Sequence, residues 1–204
     1  MKLYHAPLSP FARKVRAAVI VLGLEERIEE VVVNVSASPP EILVANPLCK
    51  IPTLEIAEGE GLYDSRVIVE YLDALAGGGR VIPAAGLERW RALRLQALGD
   101  GISDAAVLSR GLAVAGLDRD HPLVQRQAAA IRRSLDRLEE AVPSTVPMTG
   151  PVDVGSLSVA CALGYLDVRF ADEPWRDQRP ALAAWYETAS RHDSLACTAV
   201  AAPR

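Results

Sequence analysis

The stretch N-P-L-C-K-I-P-T-L, residues 46–54, decides how this chain is read. Taken by itself it is a loop, an X-Pro bond and the start of a short strand. On its own residues, Ile51-Pro52 reads as an ordinary trans bond, the commoner isomer. A cis bond at this point would turn the chain sharply and leave the N–H and C=O of Ile51 unpaired at a sheet edge. An extended, peptide-like ligand can pair with such an edge as an added strand.

Working outward, the pattern alternates between strand and helix. Residues 2–5 form a strand candidate, followed by Pro7 and Ser9-Pro10. Residues 11–22 read as a helix with Phe11, Val15, Ala18, Val19 and Leu22 on one side, and Gly23 stops it. Residues 28–33, rich in β-branched side chains, give a second strand that should pair in parallel with the first. Pro39-Pro40 opens a short helix ending near Ala45. Strands 53–56 and 61–63 flank a turn at Gly59, and a helix over 65–76 closes the unit. The order β-α-β-α-β-β-α makes a complete small sheet domain with helices packed on it.

Gly77-Gly78-Gly79, Pro83 and Gly86 mark a linker over 77–86. Beyond it no strand pattern remains. Helices are expected over 87–114, with Leu87, Trp90, Leu93, Leu98 and Ile102 among the apolar positions, and over 122–142, where Leu123, Gln127, Ile131, Leu135, Leu138 and Val142 recur at threes and fours. Residues 154–170 are apolar nearly all round and should form the central buried helix. Another helix runs over 181–191 behind Pro180. The expected organisation is therefore a mixed α/β domain over 1–76 and an all-helical domain over 87–204.

Composition narrows the function classes. The formal net charge of −4 gives no electrostatic reason to expect nucleic acid or an anionic membrane. Arg89, Arg91 and Arg94, and again Arg132 and Arg133, have acidic neighbours and read as solvated helix faces. Three separated cysteines, Cys49, Cys161 and Cys197, argue for a reducing compartment and against a disulfide framework. No paired spacing suggests a metal site. The N-terminus lacks the apolar core of a secretory signal, and no apolar run reaches membrane-spanning length. A cytoplasmic protein without metal is the expectation.

Two helix starts can carry chemistry. Ser9-Pro10 is a serine N-cap with proline at the first helical position, which needs no function. The same hydroxyl, beside the positive end of a helix dipole, can donate to an anion such as a thiolate and raise its thiolate fraction at neutral pH. Asp64-Ser65 likewise reads as an N-cap. The free N–H groups there can also bind a carboxylate while Asp64 takes an ammonium group, which suits a ligand with an α-amino acid end.

Together, S-P-F-A-R-K-V-R (residues 9–16), N-P-L-C-K-I-P-T-L and L-Y-D-S-R-V-I-V-E-Y-L (residues 62–72) resemble the N-terminal domain of glutathione S-transferases. P-A-L-A-A-W-Y-E-T-A-S-R (residues 180–191) resembles the family's last core helix, and V-D-V-G-S-L-S-V-A (residues 152–160) its buried capping box. The resemblance covers nearly the whole chain and is closest to a bacterial branch with serine at the active position. It implies a thioredoxin-like domain followed by a helical one, with glutathione as co-substrate. By resemblance, Ser9 activates the glutathione thiol. Ile51, before a cis Pro52, pairs with the cysteinyl part, Asp64 and Ser65 hold the γ-glutamyl end, and Lys50 reaches the glycyl carboxylate. A small hydrophobic electrophile would lie among Leu8, Phe11, Asp104 and Leu108. A homodimer is implied as well.

The chain departs from the family in places. Cys49 stands where glycine is frequent, so its turn is expected not to need a positive φ. Its thiol is either inert or able to form a mixed disulfide with glutathione. Asp64 is one methylene shorter than the glutamate or glutamine of many relatives. Asp153 and Ser156 reverse the usual order of the capping box and are expected to cap reciprocally. Gly99 and Gly101 cost about 1 kcal/mol each inside a helix, and close approach of backbone or ligand would justify them. By resemblance, a carboxylate of this helix would contact the amino group of glutathione bound to the partner subunit, a role open to Asp100 or Asp104; the alternative is a surface or intra-helix role for both. Three readings result. One is a transferase that conjugates glutathione to electrophiles, with peroxidase or thiol-disulfide side activity; another is a glutathione-binding interaction protein without turnover. A glutaredoxin-like redox enzyme is disfavoured, since Ser9 stands where a cysteine nucleophile is needed.

Overall fold

The computed structural model describes residues 1–145 and 152–199, with side chains described at 1–141 and 152–199. Four strands, β1 (Lys2–His5), β2 (Glu29–Val32), β3 (Thr53–Ala57) and β4 (Glu60–Leu62), form one sheet in the order β2-β1-β3-β4. β1 pairs in parallel with β2 and antiparallel with β3, and β3 is antiparallel to β4. Helices α1 (Pro10–Leu22), α2 (Pro40–Ala45) and α3 (Ser65–Leu75) accompany it. This is the thioredoxin-like unit implied by the sequence, with β4 starting one residue earlier than expected.

The helical part contains α4 (Gly86–Val114), α5 (Pro122–Thr145), α6 (Val154–Arg169), α7 (Pro180–Ala189) and the single turn α8 (Asp193–Ala196). The turn α8 has no counterpart in the sequence reading. The Val142 side chain and residues 200–204 of the expected helical half lie outside the described residues. The linker is less free than its three glycines suggest. The Asp73 carboxylate accepts from the backbone N–H groups of Gly79, Arg80 and Val81 at 2.9 Å each. Arg80 in turn donates to the Leu22 carbonyl at 2.8 Å.

Helix α6 is the axis of the core, with every residue from 154 to 166 buried. Its low polarity allows burial on all sides. α4 runs parallel to it at backbone contact, because a Cβ on Gly99 would lie 2.6 Å from the carbonyl carbon of Ser158. Close approach therefore accounts for Gly99. Gly101, two residues and about 200° further round the helix, meets nothing within 4 Å, so the close-approach expectation fails there. Leu87 and Trp90, expected on the apolar side of α4, are 61% and 66% exposed, because the buried stripe runs through Ala92, Gln96, Gly99, Ile102 and Ala106. Asp153 caps α6 by accepting from Ser156 N–H at 2.7 Å. The reciprocal bond does not form: the Ser156 hydroxyl is buried without a partner, too short to reach back.

Two buried ionisable groups set the energetics. Lys14 of α1 is 1% exposed, and its Nζ donates to both oxygens of Asp100 on α4, at 2.7 and 2.8 Å. Arg66 of α3 completes the cluster at 2.9 Å. Burial pushes the Lys14 pKa down, and Asp100 opposes that shift. His5, at the end of β1, is 3% exposed and forms no hydrogen bond through its ring; Glu30 lies 3.4 Å away without hydrogen-bond geometry. Burial lowers its pKa, and Glu30 only partly offsets this.

Removing Lys14 strands a buried carboxylate. Lys14→Met is expected to cost about 3 kcal/mol in urea unfolding, and Lys14→Met/Asp100→Leu to recover most of that loss. A double variant as unstable as the single would refute the charge explanation. For His5, the folded pKa lies below the usual 6.5, so neutral histidine stabilises the fold above that pH. That stability is lost as pH falls through the folded pKa. Thermal melts from pH 7.5 to 5 should show a steeper decline for the native chain than for His5→Gln, and parallel declines would exclude His5 as the cause.

Candidate functional site

Strand pairing brings three segments to one edge of the sheet. β1 ends at His5 beside the start of β3, since Tyr4 is opposite Thr53. β4 ends beside the same point, since Leu62 is opposite Leu54. The loop after β1, the loop before β3 and the turn after β4 therefore share that edge. They carry Ser9, Lys50-Ile51-Pro52 and Asp64-Ser65 respectively.

Ser9 is the N-cap of α1. Its Oγ accepts from Ala12 N–H at 3.2 Å, and Pro10 occupies the first helical position. With a lone pair engaged by the helix, the hydroxyl proton remains to donate outward, next to the positive end of the dipole. Ser9 is half-buried, flanked by half-buried Leu8 and Phe11. Asp64 is the N-cap of α3, accepting from Arg66 N–H at 2.9 Å, and it is exposed. Ser65 is buried and makes no side-chain hydrogen bond among the described residues.

The central loop is organised by Asn46, which is fully buried. Its Nδ2 donates to the Lys50 carbonyl at 3.1 Å and to Thr53 Oγ1 at 2.9 Å, while its Oδ1 accepts from Leu48 N–H at 3.0 Å. Thr53 Oγ1 donates to the same Lys50 carbonyl at 2.7 Å. The Ile51–Pro52 peptide is cis, as the resemblance implies and against the reading of the residues alone; Tyr63–Asp64 is also cis. Among the described residues nothing pairs with the N–H or C=O of Ile51. The Lys50 side chain is exposed.

The expectation for Cys49 is corrected. Its φ is +50°, in the left-handed region. The turn requires it: Cys49 N–H donates to Asn46 O at 2.9 Å, and the chain must then reverse to return the Lys50 carbonyl to the Asn46 side chain. The Cys49 thiol points at Val35 O, 3.6 Å away. Cys161 is fully buried, and burial pushes its thiol up to about 11, so it is inert.

On α4 the two aspartates part company. Asp100 is committed to Lys14 and Arg66 and is 3% exposed, so it is closed to a partner subunit's ligand. Asp104 is exposed, and its pKa is raised by partial burial first and then by Asp100. Leu108, one turn on, is 49% exposed. Both lie away from the α6-facing stripe. Asn46, Thr53 and Arg66 are absent from the sequence reading: a lone asparagine in a loop has no periodicity to mark it, and Arg66 reads as an ordinary surface cation. Among the described residues no group of three or more His, Cys, Asp or Glu could hold a metal, and no helix is long and apolar enough to cross a membrane.

Known proteins with this arrangement are informative. Family models described as the N-terminal and C-terminal domains of glutathione S-transferase match residues 3–80 and 122–188. An uncharacterized GST-like protein, YibF of Escherichia coli (strain K12), is 34% identical over 97% of this chain and 98% of its own length. A glutathione transferase family member from Pseudomonas fluorescens Pf-5, solved with bound glutathione, is 41% identical with a TM-score of 0.87 over 97% of both chains. The chain is also 40% identical to a Pseudomonas fluorescens Pf-5 family member solved with S-(propanoic acid)-glutathione, at a TM-score of 0.85, covering 98% of this chain and 100% of that one. By sequence, by fold and by the three segments that meet at the sheet edge, the chain belongs to the glutathione S-transferase family.

Proposed function

We propose that this protein is a glutathione transferase that joins the glutathione sulfur to a small electrophile. The observation that carries the reading is the Ser9 hydroxyl, capped onto α1 and left with a free proton at the edge where the unpaired Ile51 backbone lies. Relatives with glutathione or a glutathione conjugate bound, at about two-fifths identity, support the choice of ligand.

The tripeptide pairs its cysteinyl backbone with the unpaired N–H and C=O of Ile51, in the loop that leads into β3. Its γ-glutamyl carboxylate meets the N–H groups at the start of α3, and its ammonium group meets Asp64. Lys50 reaches the glycyl carboxylate. The sulfur then sits at Ser9, whose O–H donates to the thiolate. The thiol proton leaves to solvent, and the sulfur lone pair forms the new bond to carbon while a halide departs with its bonding pair, or, for an unsaturated acceptor, while the π pair moves onto the acceptor and is protonated from solvent. Serine stabilises the thiolate without forming a bond to it, so the nucleophile belongs to the ligand. A binding protein without turnover would use the same frame and differ only in whether Ser9 accelerates the reaction.

A homodimer fits the exposed apolar surface on α3 and α4. Val67, Leu87 and Trp90 are 47%, 61% and 66% exposed, on elements tied together by the Arg89–Glu70 ion pair.

Ser9→Ala should lower the conjugation rate at least about tenfold while glutathione affinity stays nearly intact. The check is steady-state kinetics with a panel of aryl halides and unsaturated acceptors, alongside retention on immobilised glutathione. Retention with no turnover on any acceptor would favour the binding protein, and an unchanged rate would remove Ser9 from the mechanism. Trp90→Glu should shift the sedimentation coefficient from dimer to monomer; a native chain that sediments as a monomer would end the dimer reading.

A further inference from the structure

Two neighbouring residues anchor α1, and the anchors differ in kind. Lys14 meets a carboxylate of α4. Arg13, the residue before it, is 4% exposed and reaches α6, α7 and α8 instead. Its Nη2 donates to the Leu195 carbonyl of α8 at 3.0 Å. Its Nη1 lies over Gly164 of α6, where a Cβ would meet it at 2.2 Å and the Tyr186 hydroxyl oxygen of α7 at 2.7 Å. Among the described residues no carboxylate pairs with Arg13, and its Nε has no hydrogen-bond partner. A buried guanidinium answered by a carbonyl is a costly way to fill space, since leucine or methionine would pack there without desolvating a charge. What the arginine adds is a directed bond between α1 and a carbonyl 182 positions along the chain.

The place of that bond along α1 matters. Arg13 closes the first turn: its N–H donates to Ser9 O at 2.9 Å, and Ala12 N–H donates to Ser9 Oγ at 3.2 Å. Residues four apart lie on one side of a helix, and a helical side chain leans towards the start of its own helix. The anchor therefore bears on the turn that Ser9 caps, rather than on the far end of α1. The other parts of the proposed ligand frame are fixed separately. Asn46 and Thr53 hold the Lys50 carbonyl ahead of Ile51, and Arg66 ties α3 to Asp100.

We propose that Arg13 is a positioning residue for the reaction. By pinning the first turn of α1 to α6 and α8, it sets the distance from the Ser9 hydroxyl to the glutathione sulfur. This rests on the transferase reading and deepens it. Hydrogen bonds weaken steeply with distance and angle, and a misplacement of about 1 Å in an active site can cost on the order of 100-fold in rate. Loosening α1 should therefore be felt in the ionisation of the bound thiol, while the tripeptide stays held by the sheet loops and α3.

The test reads the thiolate of bound glutathione by its ultraviolet absorbance during a pH titration of the full-length protein, alongside steady-state kinetics and calorimetry. Arg13→Met should raise the apparent pKa of that thiol by at least about half a unit and lower kcat at least about threefold, with glutathione affinity within about twofold of native. Gly164→Ala keeps every donor but pushes the guanidinium aside, and should shift the thiol pKa in the same direction. In a Ser9→Ala background, Arg13→Met should change neither the pKa nor kcat further, because nothing is left to position. A thiol pKa unmoved in both single variants would overturn the proposal and leave the transferase reading standing. So would a further loss of rate on top of Ser9→Ala, or a loss of glutathione affinity that matches the loss of rate. A native rate in Ser9→Ala itself would overturn both. If Arg13→Met does not fold, the titration of Gly164→Ala decides alone.

Discussion

The contact between Lys14 and Asp100 is the constraint on which the rest of the structure depends. It joins α1 of the sheet half to α4 of the helical half, with both partners almost fully removed from water. An apolar pair of equal volume would bind the halves as firmly. A charge pair adds register, because sliding either helix by one turn would strand an ammonium and a carboxylate in a medium that solvates neither. Arg66 extends the same control to α3, the helix whose first turn belongs to the proposed ligand frame. One cluster thus fixes the start of α1, the start of α3 and the face of α4 relative to one another.

Much of this was legible in the sequence, and the reasons are local. Ser9-Pro10, Asp64-Ser65 and Gly23 signal helix ends through hydrogen bonds that span at most four residues, and the structure makes those bonds. The apolar stretch at 154–166 announced a buried helix without any partner being known. Other features were not legible, because their causes lie far away in the chain. Nothing near Lys14 says that its ammonium will be buried, since its partner is 86 positions on. α4 defeats a simple periodic reading for a related reason: one side faces α6 and another faces α1 and α3, so its hydrophobic stripe is interrupted by Gln96, Asp100 and Ser103, which are buried. Trp90 looked like core because large aromatics usually are.

The candidate site divides along the same line. Its caps and its proline were visible, while the residue that holds the loop together was not. Asn46 acts through four hydrogen-bonding atoms at once, which is why Cys49 takes a left-handed backbone despite carrying a Cβ. The strain of one residue, on the order of 1 kcal/mol, is outweighed by several buried hydrogen bonds that a relaxed turn would forfeit. The cost of a Cβ at residue 49 can be read from the residue alone, whereas the hydrogen bonds that outweigh it depend on where Asn46, Lys50 and Thr53 meet in the fold.

In the proposed reading, thiol chemistry belongs to the ligand. Cys161 is sealed in the core with its thiol pushed up, Cys49 is turned towards a backbone carbonyl, and Ser9 occupies the position where a redox relative would need sulfur. The proposed frame for the tripeptide is built from backbone groups and caps of the sheet half. That half is tied to α6 where the Arg13 side chain lies over Gly164: a Cβ there would meet Arg13 Nη1 at 2.2 Å and Tyr186 Oη at 2.7 Å, so a larger residue must displace the guanidinium that donates to Leu195 O. Residue 164 lies outside the proposed ligand frame, yet its lack of a side chain is what lets the Arg13 guanidinium lie over α6, so the helix that Ser9 caps is constrained from α6 as well as from Asp100.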